Sequence, residues 1–529
     1  MKRLLTVPLP ALAVLTLAAC GSGSGSSEVK SSDGPSAGGG TADAADTTPA
    51  GTPAKGGTLT IGAASGIPQL NPVIKGTAWE EALFPLLWDG LTKIDQDGKV
   101  APDLATSWTS AQGGKTWTFT LRQGVKFSNG TPVTPKLVVA NFKYYMDPDT
   151  ATQQKTALAP IKSVTASGAD KVVIKLKTPN VVLPDVLVPV KLIDTATIKT
   201  IDKQPAVTGP FKVKEFVPDD HLTLERNPDY FGDPAPLDEI KMVKAADATS
   251  AVTSLRSGDL DALWSVPSSD IPQLESQGEI QVVKPKVTGQ YVSWEVDTTS
   301  PPFDDVRARQ ALAYAIDREA ILKAAYYGQG QVSKTNTPLA DNSPWFGGQL
   351  TDYSYNLDKA KQLFQEAGVT SFTWWGVAGQ YPEWNTSAQI LQASLKKIGV
   401  TMKIKNTELS TWPAKFYPAG KKFPGLVVPN FQSFATDPSF QLGFLRMGRC
   451  ECNWKNDAFE KAYNDALATA DEGARKAIWA KAQEEINKDV PIFVPVQSAT
   501  DTAAQKKVVG LWVEASGTPH LESAGFAGQ

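Results

Sequence analysis

Residues 101–133 read A-P-D-L-A-T-S-W-T-S-A-Q-G-G-K-T-W-T-F-T-L-R-Q-G-V-K-F-S-N-G-T-P-V. Trp117, Phe119 and Leu121 alternate with Thr116, Thr118 and Thr120, the period of two that marks a strand with one buried face. Gly113-Gly114 ahead of it and Asn129-Gly130 behind it are turn pairs. The residues alone therefore predict a β-hairpin region. Just beyond, 135–145 carries Leu137, Val138, Ala140, Asn141, Phe142 and Tyr145 at amphipathic helical spacing, and 172–176 alternates with lysines as an exposed strand.

Further out, 58–61 is predicted as a first strand and 79–87 as a short helix ending near Asp89-Gly90. Asp95-x-Asp97-Gly98 begins like a calcium loop, but its twelfth position is Thr106 instead of glutamate, so a hairpin turn is expected. Asp304 is expected to cap a helix carrying Leu312, Ile316 and Ala320 on one face. Helix 357–367, strand 372–375, helix 387–398 and strand 401–405 then alternate as α/β units. Helices 459–468 and 474–487 and a returning strand at 490–496 follow.

A chain of 529 residues has room for more than one domain. Its formal net charge of -3 and the lack of a long basic run past the extreme N-terminus give no electrostatic case for nucleic acid. The two histidines, His221 and His520, count against His-rich zinc sites and His-based triads. Cys450 and Cys452 form a C-x-C that fits either a local disulfide or two free thiols, with no second ligand cluster for zinc. No metal and no cofactor is expected.

Lys2-Arg3 followed by a short apolar stretch to Leu17 has the form of an export signal, too short to span a bilayer. Leu17-Ala18-Ala19-Cys20-Gly21 resembles a bacterial lipobox, which implies lipid on Cys20 as the first mature residue. Residues 21–56 are Gly, Ser, Ala, Thr, Pro and Asp with little apolar mass, a flexible tether by composition. A protein anchored to the membrane, outside the cytoplasm, is the expectation.

The strings P-D-L-A-T-S-W and T-F-T-L-R-Q-G-V-K-F-S-N-G-T-P-V resemble the family 5 extracellular solute-binding proteins. So do Asp89-Gly90-Leu91, Thr208-Gly209-Pro210-Phe211, Asn227-Pro228-Asp229-Tyr230-Phe231 and the block from Pro301 to Arg318. The resemblance runs over roughly 57–515. It implies a mixed α/β, two-lobed fold of the type II periplasmic-binding-protein kind, with an extra inserted subdomain and a hinged cleft between lobes. The implied division is 57–92, 205–289 and 496–525 for the first lobe, 93–204 for the inserted subdomain and 290–495 for the second lobe. It also implies a non-enzymatic monomer that captures a small solute, an oligopeptide by default, and passes it to the permease subunits of an ABC importer.

Peptide-binding relatives anchor the ligand amine in a segment W-x-x-D-Y-x-D-P. The comparable run here is Asn430-Phe431-Gln432-Ser433-Phe434-Ala435-Thr436-Asp437-Pro438. Asp437-Pro438 matches, whereas the first aspartate is replaced by Phe434, or by Ser433 in a shifted register. Trp375, Tyr381, Trp384 and Trp412, with Trp79 and Trp264 from the first lobe, are the aromatic candidates for ligand contact, although Trp is more often core. The lost aspartate and these rings favour an oligosaccharide or other uncharged ligand as the alternative. An exported hydrolase with a carboxylate pair and a purely structural surface protein are the readings from other classes.

Overall fold

The computed structural model describes residues 51–74, 79–377, 381–408, 411, 422, 437–498 and 500–528, and the strand at 426–433 by its backbone. The stretch that opened the sequence reading forms strand Thr116–Leu121, with Trp117, Phe119 and Leu121 buried. It lies between Ala105–Ala111 and Lys171–Leu176, and Ile161–Ser167 completes a four-stranded antiparallel sheet. Gly113 and Gly114 turn the chain at φ +63° and +84°, which side-chain-bearing residues adopt only with strain. Helix Pro135–Tyr145 covers the sheet with Val138, Phe142 and Tyr145. Proline in its first turn and the Thr134 hydroxyl, which accepts from the Leu137 amide at 3.2 Å, fix where it starts. The Asp95 carboxylate accepts from the amides of Asp97 and Lys99 between paired strands Thr92–Ile94 and Val100–Pro102, so the segment is a hairpin turn.

A seven-stranded sheet runs in the order Ile280–Val283, Thr502–Gln505, Ala262–Trp264, Thr58–Ala63, Glu239–Lys244, His221–Arg226, Phe211–Val217. A five-stranded sheet runs Thr401–Thr407, Ser371–Val377, Leu426–Ser433, Gln290–Glu295, Ile492–Gln497. Gln290–Glu295 and Ile492–Gln497 are buried at every residue, as expected for strands covered on both faces. Helix Pro382–Lys397 connects the parallel pair Ser371–Val377 and Thr401–Thr407, as a parallel crossover requires. Trp294 and Trp374 meet edge to face at 4.8 Å in the core beneath it. The chain passes between the two large sheets twice, at 284–289 and at 498–501.

Three sequence expectations are corrected. Asp305, not Asp304, caps the helix Val306–Ala315, accepting from the Arg307 amide at 2.8 Å. That helix stops at Ala315: Ile316 is extended, and Asp317 caps a second helix, Arg318–Ala325, through the Ala320 amide at 3.0 Å. A short acidic side chain that competes for a backbone donor thus breaks an otherwise continuous apolar face. Finally, Pro53–Ala54, inside the segment expected as tether, pairs with Phe526 and Ala527, and the Gly56 amide donates to the Pro236 carbonyl. Cys450 and Cys452, left open by the sequence, are joined as a disulfide within a buried cluster that includes Trp454 and Trp479.

Candidate functional site

In the five-stranded sheet, Ser371–Val377, Thr401–Thr407, Leu426–Ser433 and Ile492–Gln497 run one way and Gln290–Glu295 the other. All four carboxyl ends, and the start of Gln290–Glu295, therefore lie on one edge. In the seven-stranded sheet, Thr58–Ala63, Glu239–Lys244, Ala262–Trp264 and Ile280–Val283 likewise share an edge for their carboxyl ends, where Thr502–Gln505 begins. The two chain crossings connect these two edges. Carboxyl edges of α/β sheets are where loops are free to diverge and ligands bind, so the candidate site is placed where the crossings join these two edges.

Loop 514–518 braces the crossings. Gly289 donates its amide to the Ala515 carbonyl at 2.9 Å, and Gln290 donates its side-chain amide to the Ser516 carbonyl. Thr500 donates its hydroxyl to the Gln290 side chain at 3.0 Å, and Trp264 donates its indole N–H to the Gly517 carbonyl at 2.9 Å. Outside them, the Lys284 ammonium bridges Glu275 and Gln329, both at 3.0 Å.

His520 holds the same loop from behind. Its ring stacks on Trp512 at 3.8 Å and its two nitrogens face Glu522 at 2.9 Å and Glu514 at 3.1 Å. Burial alone would lower its pKa, but the two carboxylates raise it to about 9, while Glu522, which burial would push up, is held at about 2 by the imidazolium. A raised histidine stabilises the fold fully below its unfolded pKa of about 6.5 and loses that contribution as pH climbs through 9; the lowered glutamate acts above about 4.5 and fails toward 2. Urea midpoints should therefore fall between pH 6.5 and 9.5 by the equivalent of up to about 3 kcal/mol, and His520→Gln should flatten that limb. An unchanged slope in the variant would refute the assignment.

The sequence-predicted residues sort into groups. Trp79 and Trp264 stack face to face at 5.1 Å with planes 8° apart, and both are buried, so in this conformation each ring is covered mainly by the other and by core. Tyr381 stacks on Trp384 at 4.2 Å; Trp384 is buried in the second core, and half-buried Tyr381 precedes the helix. Trp375 is half-buried, with the Lys405 ammonium 5.3 Å from its ring, whereas Trp374 on the other face of the strand is core. Asn430, Phe431 and Ser433 are placed by backbone register opposite Ser293, Val292 and Gln290, which brings Ser433 to the crossings. Asp437 is buried and caps helix Pro438–Gly443 through the Ser439 amide at 2.8 Å. Trp412, Phe434 and Cys20 lie outside the described residues.

Sequence reasoning passed over Asp185. It sits in helix Leu183–Val186, and burial, then the Asp437 carboxylate, push its carboxyl up to about 7. A lone acid inside the apolar run Val181 to Val188 was the signal available. Among the described residues, no cluster of His, Cys, Asp and Glu could hold a metal, and no helix is long and apolar enough to cross a membrane.

The family of bacterial extracellular solute-binding proteins, family 5 (middle region), matches residues 99–448. The chain belongs to that family. As a family 5 solute-binding protein it binds and carries, and performs no bond chemistry, which removes the hydrolase alternative. It is 27% identical over 475 residues to the oligopeptide-binding protein AppA of Bacillus subtilis, covering 84% of this chain and 86% of that protein. It is 25% identical over 510 residues to the dipeptide-binding protein of Escherichia coli, covering 86% and 91%. The solved structure of Bacillus subtilis AppA with a nonapeptide superposes with a TM-score of 0.74 at 24% identity, over 90% of this chain and all of that one. HbpA2 from Haemophilus parasuis superposes at 0.79, with 24% identity, over 89% and 100%. The family 5 fold is thus the two-lobed α/β arrangement expected from the sequence.

Proposed function

We propose that this protein is the membrane-anchored, extracytoplasmic binding component of an ABC importer, which captures a peptide-like solute by closing two lobes and delivers it to the permease. The observation that carries this is the pair of crossings at 284–289 and 498–501, short, tied together through Thr500 and Gln290, and each joining the carboxyl edge of one large sheet to that of the other. Two bodies joined only by such a pair can rotate about it, so closure buries a ligand from both sides. In this reading the lobes are 57–92, 205–289 and 496–525 against 290–495, with 93–204 as an inserted subdomain of the first. Residues 1–20 are removed as a signal, lipid on Cys20 holds the monomer to the membrane, and the tether from 21 gives way to the folded body at Pro53. Relatives named for oligopeptides and dipeptides support peptide as the ligand class.

An oligosaccharide or other uncharged ligand is the second reading, favoured by half-buried Trp375 and Tyr381 at the carboxyl edge of the second sheet. Thermal-shift measurements on the purified mature protein against peptide and oligosaccharide sets separate the two. A ligand at a hundredfold over its Kd should add about 2.7 kcal/mol to stability. Stabilisation by peptides is the expected result; stabilisation by sugars alone would overturn it.

A further inference from the structure

A second cavity lies away from the crossings. Arg226 pairs with Phe211, and Glu225 with Glu239, the first residue of its strand. Segment 227–231 therefore leaves the seven-stranded sheet at the edge opposite the one that the crossings join. With loop 122–130 it encloses a cavity of about 610 Å³, whose walls include Arg122, Lys126, Phe127, Asp229 and Phe231. Both walls are tied down. The Arg122 amide donates to the Leu104 carbonyl at 2.8 Å, the Ser128 amide to the Val207 carbonyl at 2.8 Å and the Val133 amide to the Val125 carbonyl at 2.9 Å. On the other side, Asn227 donates its backbone amide to the Pro210 carbonyl and its side-chain amide to the Gly209 carbonyl, both at 2.8 Å. A cavity framed in this way is formed before any ligand arrives.

The Arg122 guanidinium lies over the Phe231 ring, 5.1 Å from its centre. Stacking engages the flat face and leaves the N–H donors, which radiate in the guanidinium plane, to other partners. Here they have none. The Nε is buried without an acceptor, and among the described residues the Arg122 side chain makes no hydrogen bond and no ion pair. A buried donor left open is destabilising, and an arriving acceptor relieves it. Lys126, on the same wall, also lacks an ion pair among the described residues. Against these two cations the described lining holds one acid, Asp229, so the cavity carries one net positive charge. A planar fork of donors with that charge is the complement of a carboxylate. The volume far exceeds a lone ion, and Val125, Phe127 and Phe231 give apolar wall, so the fitting occupant has an apolar body too.

We infer that this cavity is a second binding site, for a small organic monocarboxylate. Arg122 grips the carboxylate, Phe231 holds the guanidinium flat and Lys126 adds charge. The site stands apart from the solute cleft and goes beyond the transport reading, since it lies at the other edge of the sheet.

The test titrates the purified protein with 4-fluorobenzoate and with its neutral isostere 4-fluorobenzamide, read by fluorine NMR line broadening. Wild type should bind the benzoate saturably and the amide at least about tenfold more weakly. Arg122→Gln should weaken the benzoate about tenfold or more. Lys126→Gln, at an exposed position where folding is not at risk, should weaken it about threefold. Asp229→Asn should tighten it about threefold, because a like charge leaves the wall. All three variants should keep the wild-type thermal shift with the peptide set. Equal binding of both probes, no saturable binding of the benzoate, or an affinity unmoved by Lys126→Gln and Asp229→Asn alike would overturn the site. Parallel loss of peptide binding in the variants would overturn its separation from the cleft. Failure of peptides to bind wild type would count against the transport reading alone, since the benzoate titration stands without it.

Discussion

Trp264→Ala is expected to cost about 3–5 kcal/mol of folding stability, the range for truncating a large buried aromatic. Three losses coincide there. Trp79 loses the face it stacks on, the Gly517 carbonyl loses its indole donor, and a cavity opens beside the brace on the crossings. Trp264→Phe should retain part of the stack and lose the hydrogen bond, leaving a cost nearer 1 kcal/mol plus the volume difference. Urea denaturation followed by fluorescence measures both. If Trp264→Ala unfolds at the wild-type midpoint but no longer binds solute, the ring is a ligand platform and its burial here belongs to one conformation only.

Arg318→Met is expected to destabilise by a comparable amount, about 3–5 kcal/mol. The guanidinium is buried and donates to the carbonyls of Val494 at 3.2 Å, Ala313 at 3.1 Å and Tyr353 at 3.0 Å, and to the Asn336 side chain at 3.0 Å. Burial lowers its pKa to about 10, against the nearby Asp352 carboxylate, which favours the charged form. Asn336, at φ +57°, in turn accepts from the Val494 amide and donates to the Ile492 carbonyl, so it ties the last strand of the second sheet to the helix that follows the break. Methionine fills the volume and takes the guanidinium donors from three carbonyls, while the Asn336 oxygen keeps the Val494 amide. Lysine keeps the charge but not the planar fork, so Arg318→Lys should recover less than half of the loss. Thermal melts check this; a melting temperature within a degree of wild type for the methionine variant would refute it.

How far the chain could be read in advance follows from the reach of each interaction. Strand Thr116–Leu121 was legible because one face is wet and the alternation survives, and helix Pro135–Tyr145 because Thr134-Pro135 signals its start locally. The break at Ile316 was not, since its apolar spacing continues and only the competition between Asp317 and the helix backbone decides. Pro53–Ala54 pairs with strand partners at the far end of the chain, and no local pattern encodes that. At the site, alternation of strands and helices pointed to the carboxyl edge from which Trp375 and Tyr381 come. It could not say that Trp79 and Trp264 would cover each other, because composition gives a ring and not its neighbour. Asp185 went unseen for the same reason: what acts on it is burial and the carboxylate of Asp437, far along the chain.

Strand Thr502–Gln505 is second in the seven-stranded sheet, between Ile280–Val283 and Ala262–Trp264, and Gly525–Ala527 holds Pro53–Ala54. A growing polypeptide therefore lacks an interior staple of its first half until Thr502–Gln505 has been synthesised. Such late, long-range closure is slow and leaves the nascent chain pliable. Until that distant strand arrives, the first half of the sheet is easily pulled apart, and only afterwards does it open as one cooperative unit.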